Sequence, residues 1–386
     1  MSYASNIPKF YIYKFLSSFF FIGPIVILFY LSYISYAQFG IVIAIGLAVS
    51  MLFEVPSGVL ADMWGRKKTV VLGLFLCALE MFIIGLGQSF SAFIIASIVG
   101  GIAWAFISGA DTALLYDSLK HIKREHESKI IYGKVRAIRY WAIVLAALLG
   151  APLYVYLDYL PFVLNGVMLL LTALLFMSVK ETPIHRSTSS LSHQYAHIKD
   201  SIAYIWNNTA LLWFIGFASL GGVGIWIFHD MIRSAYYESI GFPIAILGVL
   251  TAIITGVRSL FSLYAHKVEA YVGINNSILL ILFLQVPLFF LMAYFYTQIA
   301  FIFVLCLYCI WSFQEVLSEV YSHEHMNSKQ RATLVSIQSF FVSCAVLLGS
   351  ILTGYIIEWY SIQIMLYMLS GMTLLIGVVL WFTKNI

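Results

Sequence analysis

Long apolar runs separated by short polar loops dominate this chain. Runs of about twenty apolar residues, the length of a helix that crosses the hydrocarbon layer of a bilayer, recur from one end to the other. They predict twelve membrane-spanning helices, at roughly 10–33, 41–63, 70–88, 92–117, 135–157, 161–180, 210–235, 243–266, 277–297, 299–321, 333–357 and 362–383. Two longer polar segments, 120–134 and 180–208, interrupt this rhythm. The second leaves six predicted spans on each side.

This pattern predicts an all-α integral membrane protein made of two pseudo-symmetric halves with six helices each. Residues 1–180 form the predicted first half, 181–209 a linker, and 210–386 the second half. Within the linker, apolar residues recur at helical spacing between Ser192 and Trp206, which predicts a helix on the membrane surface. Two equal halves are typical of transporters built from internal repeats.

Composition excludes an ordinary soluble protein. Of the 386 residues, 62% are hydrophobic and 10% charged, with a mean hydropathy of +0.95, whereas soluble domains are about 25% charged. The net charge of +4 comes from loops, so it does not indicate a nucleic-acid partner. The four cysteines lie within apolar runs and show no disulfide or zinc spacing. We expect no cofactor, no metal site and no ATP-binding motif.

Positive charge is concentrated in alternate loops. Lys and Arg cluster at 66–68, 120–134 and 180–199, while the intervening loops hold almost none. By the positive-inside rule these loops face the cytoplasm. The sequence therefore predicts a multi-pass membrane protein with both termini in the cytoplasm. A monomer in the lipid bilayer is expected.

The loop after the second span, from Gly58 to Lys68, is the most specific segment. It reads Gly-Val-Leu-Ala-Asp-Met-Trp-Gly-Arg-Lys-Lys and combines a carboxylate, a glycine turn and three cations. This basic loop resembles the one between the second and third helices of major facilitator superfamily transporters. The span count and internal symmetry extend the resemblance over nearly the whole chain. The run from Phe53 to Gly58 resembles a bacterial branch of that family related to drug and metabolite exporters.

The resemblance implies contacts for the basic loop. In the family, the Asp faces the start of the eleventh helix, here near Asn327, and the Arg pairs with an acid at the inner end of the fourth helix. The matching positions in this chain are Gly58, Asp62, Gly65, Arg66, Lys67 and Asp117. A carboxylate at a helix N-terminus is stabilised by free amides and the helix dipole. We expect this network to lock the cytoplasmic gate in the outward-open state.

Ionisable residues inside membrane spans are expensive and are functional candidates by default. Helical spacing puts Asp111 on one face of span four with Trp104, and Glu315 on one face of span ten with Trp311. Each acid could bind a proton or substrate. The alternative for each is a structural contact with a neighbouring helix. Glu80 lies inside span three, and the sequence names no partner for it.

Two cations also fall inside predicted spans. Arg258 in span eight either neutralises a buried acid or binds an anionic substrate. Span seven carries His229, Asp230 and Arg233 on the face of Trp226, which predicts either an outer gate or a self-neutralising ion pair.

We expect a central cavity formed by spans one, four, seven and ten. Its predicted lining is Phe21, Trp104, Asp111, Trp226, Trp311 and Glu315. The preferred function is proton-coupled export of a small, partly apolar organic solute by alternating access, driven by an ion gradient. The alternative is import of a metabolite or siderophore-like anion bound by Arg258. A membrane enzyme is disfavoured because no nucleophile lies beside a base, and a channel is disfavoured by the basic loop.

Overall fold

The computed structural model describes residues 3–183, 213, 215–262, 274–324 and 328–383. Throughout these residues the regular structure is helical, and the predicted linker helix lies outside them. The α-helices are α1 Asn6–Ser17, α2 Val26–Leu31, α3 Tyr36–Trp64, α4 Arg66–Gly87, α5 Phe90–Ile107, α6 Ala110–His121, α7 Ser128–Tyr156, α8 Leu160–Met177, α9 Val223–Ile227, α10 Arg233–Ser239, α11 Leu247–Ser262, α12 Ile274–Tyr294, α13 Phe301–Glu324, α14 Ser328–Trp359 and α15 Ile362–Thr383.

The prediction of an all-α membrane protein is confirmed. In the described part of the chain, nine helices are long and apolar enough to cross a membrane, and Leu279–Tyr294 is a shorter apolar helix. The nine are Tyr36–Trp64, Arg66–Gly87, Phe90–His121, Ile130–Tyr156, Leu160–Met177, Ile244–Phe261, Gln298–Glu315, Gln338–Trp359 and Ile362–Thr383. The two remaining predicted spans, the first and the seventh, are divided in the described residues into helical segments too short to be counted.

Span one is broken between α1 and α2, at residues 18–25. This gap contains Gly23 and Pro24, and a proline lacks the N–H that a helix interior needs. The backbone N–H of Phe21 donates instead to Oδ1 of Asn165 at 3.1 Å. A Cβ at Gly150 would lie 1.9 Å from the Phe21 carbonyl oxygen. The backbone of the break at Phe21 therefore packs against Gly150 of α7 and hydrogen-bonds to Asn165 of α8.

Span seven contains two π-helical turns, at Phe217–Gly221 and Phe228–Ile232. Each π turn has more residues than an α-helical turn, so the 3.6-residue period fails across it. Arg233 is buried, whereas the Asp230 side chain is 41% exposed. The assignment of His229, Asp230 and Arg233 to an outer gate or a self-neutralising ion pair stays a prediction. Single π turns are frequent at functional sites.

Span four is interrupted between α5 and α6. Gly109 adopts φ +76°, a conformation that a right-handed helix does not contain. Trp104 on one side of the break is 63% exposed, whereas Asp111 on the other side is 5% exposed. The prediction that these two residues share one helical face is wrong, because it assumed an unbroken period.

The chain folds as two compact units. The first comprises Met1–Ile34, Ile41–Ser187 and Pro243–Ala252, and the second comprises Ser35–Gly40, Thr188–Phe242 and Ile253–Ile386. The first unit thus includes the start of span eight, and the second includes the first turn of span two. The predicted division into residues 1–180 and 210–386 stays a prediction.

In the first unit, Asn6 ties three helices together at one end. Its side-chain amide donates to Ser118 Oγ and to the Lys180 carbonyl oxygen, both at 2.9 Å, and its Oδ1 accepts from the Lys180 N–H at 2.9 Å. Asn6 is fully buried. Its three side-chain hydrogen bonds therefore go to α6 and to a residue that follows α8.

In the second unit, the first turn of α3 packs directly on α14. Glu358 Oε2 accepts from the Ala37 N–H at 2.7 Å, which caps one of the free amides at the start of α3. A Cβ at Gly354 would lie 2.5 Å from the Tyr36 carbonyl oxygen, and a Cβ at Gly40 would lie 2.5 Å from the Ser350 carbonyl oxygen. Only glycine permits this backbone approach.

We predict that Gly354→Ala lowers thermal stability, because its methyl group forces the two backbones apart at an overpacking cost of about 1–3 kcal/mol. Gly371→Ala on α15 is the matched control, since nothing lies within 4 Å of its Cβ position. Thermal unfolding of the purified protein in detergent measures both. Equal unfolding temperatures for the two variants would contradict the close approach.

Candidate functional site

The basic loop is held by two acids of the first unit. Arg66 Nη1 donates to Asp117 Oδ2 in an ion pair between α4 and α6. The Lys67 N–H donates to Glu181 Oε2 at 3.0 Å. Glu181 thereby satisfies a free amide in the first turn of α4, where the helix dipole also favours a carboxylate.

Gly65 makes this arrangement possible. Its φ of +104° suits glycine but is strained for other residues. A Cβ at this position would also lie 2.5 Å from Glu181 Oε2. The glycine therefore supplies both the turn between α3 and α4 and the space for the acid. Gly58, by contrast, has nothing within 4 Å of its Cβ position.

Asp62 shares a small pocket with these groups. The pocket has a volume of about 30 Å³, enough for about one water molecule. Its lining is Ala61, Asp62, Arg66, Asp117, Glu181, Thr182 and Pro183. One guanidinium and three carboxylates therefore meet in a small volume. The predicted partner of Asp62, Asn327, lies outside the described residues, so that contact stays a prediction.

Sequence reasoning missed Glu181. It follows Lys180 at the end of predicted span six, where an acid beside a cation looks like an ordinary solvated boundary. The sequence did contain one signal. A helix that begins directly after the glycine turn at Gly65 needs an acceptor for its first backbone amides, and a carboxylate elsewhere in the chain can supply it. The acceptor lies 114 residues from Lys67 along the chain.

Asp111 lies in a second cluster of the first unit, in the first turn of α6. Its Oδ2 accepts from Lys14 Nζ at 2.5 Å and from the Tyr13 hydroxyl at 2.9 Å. Its Oδ1 accepts from the Thr112 N–H at 2.6 Å and from the Thr112 hydroxyl at 2.9 Å. Four donors on a buried carboxylate stabilise its charged form. Asp111 is thus an anion held by α1.

Lys14 was also missed. It falls inside predicted span one, where an isolated cation demands an acid by the same reasoning that applied to Arg258. The break in span one leaves Lys14 in the last turn of α1, from which its ammonium group reaches α6. Two predicted positions, Phe21 and Trp104, do not join this cluster: Phe21 is buried with its ring 5.2 Å from that of Phe19, and Trp104 lies beyond the break.

In the second unit, Arg258 and Glu315 form an ion pair. Arg258 Nη2 donates to Glu315 Oε2 at 2.9 Å, which joins α11 to α13. The guanidinium carbon lies 4.1 Å from the ring centre of Trp311 and 5.8 Å from that of Tyr308. A planar guanidinium stacks favourably on such ring faces. Arg258 is therefore fixed by an acid on one side and an aromatic ring on the other.

Aromatic groups extend this site across span seven. His229 Nδ1 and the Tyr308 hydroxyl are 2.6 Å apart, and the His229 ring centre lies 5.1 Å from that of Trp311. The Trp226 and Trp311 rings meet edge to face at 5.5 Å. His229 lies on the second π turn, so this irregular segment faces α13.

Exposure separates the charges of this site. The Glu315 side chain is 47% exposed and that of Asp230 is 41% exposed, whereas that of Arg258 is 17% exposed and Arg233 is buried. Trp226 is 38% exposed. The accessible groups are thus Glu315, Asp230 and Trp226, while Trp311 is 5% exposed and lies, like the cations, behind them. We call Trp226, Asp230, Trp311 and Glu315 the acidic-aromatic face.

No group of three or more His, Cys, Asp or Glu side chains suited to a metal ion occurs in the part of the chain that the structure describes. The chemistry of both units is that of ion pairs, hydrogen bonds and aromatic rings.

A sequence model of the Major Facilitator Superfamily matches residues 12–326. This match covers the basic loop, the Asp111–Lys14 cluster, the Arg258–Glu315 site and most of the described helices. The chain belongs to the major facilitator superfamily. This superfamily consists of membrane transporters, and the match agrees with the apolar spans of the described residues.

Two similar proteins match shorter parts of this chain. Multidrug resistance protein 2 of Bacillus subtilis (strain 168) is 42% identical over 71 residues, which is 18% of each protein. Quinolone resistance protein NorA of Staphylococcus aureus is 23% identical over 153 residues, or 40% of this chain and 38% of NorA. The matched region thus spans less than half the length of either relative.

Two solved structures resemble this protein over nearly its whole length. The nucleoside transporter NupG has a TM-score of 0.79 at 15% identity, covering 98% of this chain and 99% of NupG. A D-xylose-proton symporter has a TM-score of 0.74 at 14% identity, covering 98% and 97%. At such identities the likeness shows the shared fold.

Proposed function

We propose that this transporter exports small, partly apolar organic cations in exchange for protons, by alternating access. The observation that carries the proposal is the acidic-aromatic face. A cation is attracted to the face of an aromatic ring and to a carboxylate, and an apolar body gains from the ring surface. Arg258 and Arg233, the groups that would attract an anion, are the less accessible ones.

The ion pair of Glu315 supports proton exchange. Glu315 is paired with Arg258 but remains accessible. A substrate cation that approaches Glu315 competes with Arg258 and with a proton for the same carboxylate. A protonated Glu315 would have no charge to offer, so proton binding on one side of the membrane would favour release of the substrate cation there.

The Asp111–Lys14 pair supplies a second acid at which protonation would have a structural consequence. Loss of the Asp111 charge would free Lys14 and loosen α1 from α6. The basic loop, with Asp62 and the Arg66–Asp117 pair, would serve as the cytoplasmic gate. This assignment includes both termini in the cytoplasm, a bacterial inner membrane, two six-helix halves and a monomer.

The named relatives support the direction of transport, since both are named for resistance to drugs. The alternative, import of an organic anion, would need Arg258 to be the accessible group. Its side chain is instead covered by Glu315 and Trp311.

The test uses purified protein in vesicles with tetraphenylphosphonium as the probe cation. With one proton exchanged for each probe cation, one pH unit should support about tenfold accumulation. A protonophore that collapses the gradient should abolish it. Glu315→Gln should abolish accumulation, since the amide carries no charge. Glu127→Gln is the control, because Glu127 lies in the loop before α7, and this variant should keep accumulation.

Accumulation of a lipophilic anion that is lost in Arg258→Met would instead establish the import alternative. Probe flux unaffected by the pH gradient would contradict proton exchange.

A further inference from the structure

Glu80 is an acid that belongs to none of the three charged sites described above. It lies on α4, fourteen residues from Arg66, or about 21 Å along the helix axis. Its carboxyl group rests directly on the backbone of α5: a Cβ at Gly100 would lie 2.1 Å from Glu80 Oε1 and 2.7 Å from Oε2. Any residue other than glycine at position 100 would displace the carboxyl group.

The helices packed around this part of α4 bring no positive charge. Neither α5 nor α8, the two helices that pack most extensively on α4, contains an ionisable residue. Tyr30 of α2 and Cys77 of α4 itself are titratable groups near Glu80. Within the described residues, Glu80 forms no ion pair with a Lys or Arg.

Glu80 therefore differs in kind from Asp111. Four hydrogen bonds, one from an ammonium group, stabilise the charge on Asp111. The Glu80 side chain is only partly exposed, and a carboxylate held inside a membrane span without a cation costs more than the neutral acid. The neutral acid fits the space that the missing side chain of Gly100 leaves on α5, and it needs no cation there. The nearby Tyr30 and Cys77 are neutral groups as well.

We propose that Glu80 is a proton-binding site of the first unit, which carries a proton at rest and releases it during the transport cycle. This rests on the proton exchange in the proposed function and adds Glu80, in the first unit, to Glu315 as a second acid on which that exchange depends. Because Gly100 lies on α5, a shift of α4 against α5 changes the surroundings of the carboxyl group. Movement of these helices during alternating access would thereby load or release the proton.

The direct test is infrared spectroscopy of the reconstituted protein, since a protonated carboxyl group has its own carbonyl band. We expect that band in the wild-type protein at neutral pH, its loss in Glu80→Gln and its retention, shifted, in Glu80→Asp. Glu54→Gln, which alters an exposed acid on α3, is the matched control and should keep the band. A band of unchanged intensity in Glu80→Gln would overturn the proposal.

A second measurement connects the proton to transport. In vesicles, Glu80→Gln should lose the accumulation of tetraphenylphosphonium that one pH unit supports, about tenfold for one proton. It should retain exchange of labelled for unlabelled probe without a gradient. Retention of gradient-driven accumulation would refute the coupling role of Glu80.

The two proposals fail separately. If the wild-type protein does not respond to the gradient, proton-coupled transport fails, and the infrared band still decides whether Glu80 holds a proton. Should Glu80→Gln not fold, Gly100→Ala tests the same site with the acid intact, because its methyl group must displace the carboxyl group. An unshifted carbonyl band in Gly100→Ala would contradict the contact between the Glu80 carboxyl group and Gly100.

Discussion

Replacing Gly65 with alanine will reduce transport at least tenfold, a loss that corresponds to about 1.4 kcal/mol. The backbone at this position has φ +104° and ψ 142°, a combination that costs other residues about 1–3 kcal/mol. The new Cβ would also meet Glu181 Oε2 at 2.5 Å. The acid must move, and the Lys67 amide then loses its acceptor. We therefore expect the start of α4 to shift and the Arg66–Asp117 pair to weaken.

Gly58→Ala is the control for Gly65→Ala. Gly58 belongs to the same basic loop motif but lies within α3, where its Cβ position is open. Alanine there should be neutral or stabilise the helix by about 0.5–1 kcal/mol. Probe transport in vesicles and thermal unfolding in detergent measure both variants. Wild-type transport by Gly65→Ala would show that the turn and its acid have no part in the cycle.

The second large effect is expected at Lys14. Lys14→Met leaves the buried Asp111 carboxylate without its cation, and breaking a buried pair in this way costs about 3–5 kcal/mol. Asp111→Asn should cost less, because Lys14 is 29% exposed at its side chain and retains some access to solvent. The double variant removes both charges and should recover most of the stability lost in Lys14→Met.

Thermal unfolding of the four proteins, wild type included, gives the coupling between the two residues directly. Arg124→Gln is the control, since its partner Glu127 lies in an exposed loop and the pair is solvated. Its unfolding temperature should match that of the wild type. Strictly additive losses in the double variant would mean that Lys14 and Asp111 do not stabilise each other.

Local pattern predicted much of this protein. The lengths of the apolar runs predicted helical spans, because a bilayer requires about twenty apolar residues for each crossing. The same period failed at Gly109 and at Phe228–Ile232. A positive φ and a π turn are backbone events that depend on what packs around them, and a fixed step of 3.6 residues does not represent them.

The sequence by itself determined the class of the molecule, the approximate spans and the composition of the basic loop, all of which depend on neighbouring residues. Only the tertiary structure decided which charges meet. Lys14 finds Asp111 across 97 residues, and Lys67 finds Glu181 across 114. It also placed Glu80 on Gly100, between helices α5 and α8 that carry no cation. Such pairings depend on which helix faces are adjacent, which is a property of the packed bundle and not of any local segment.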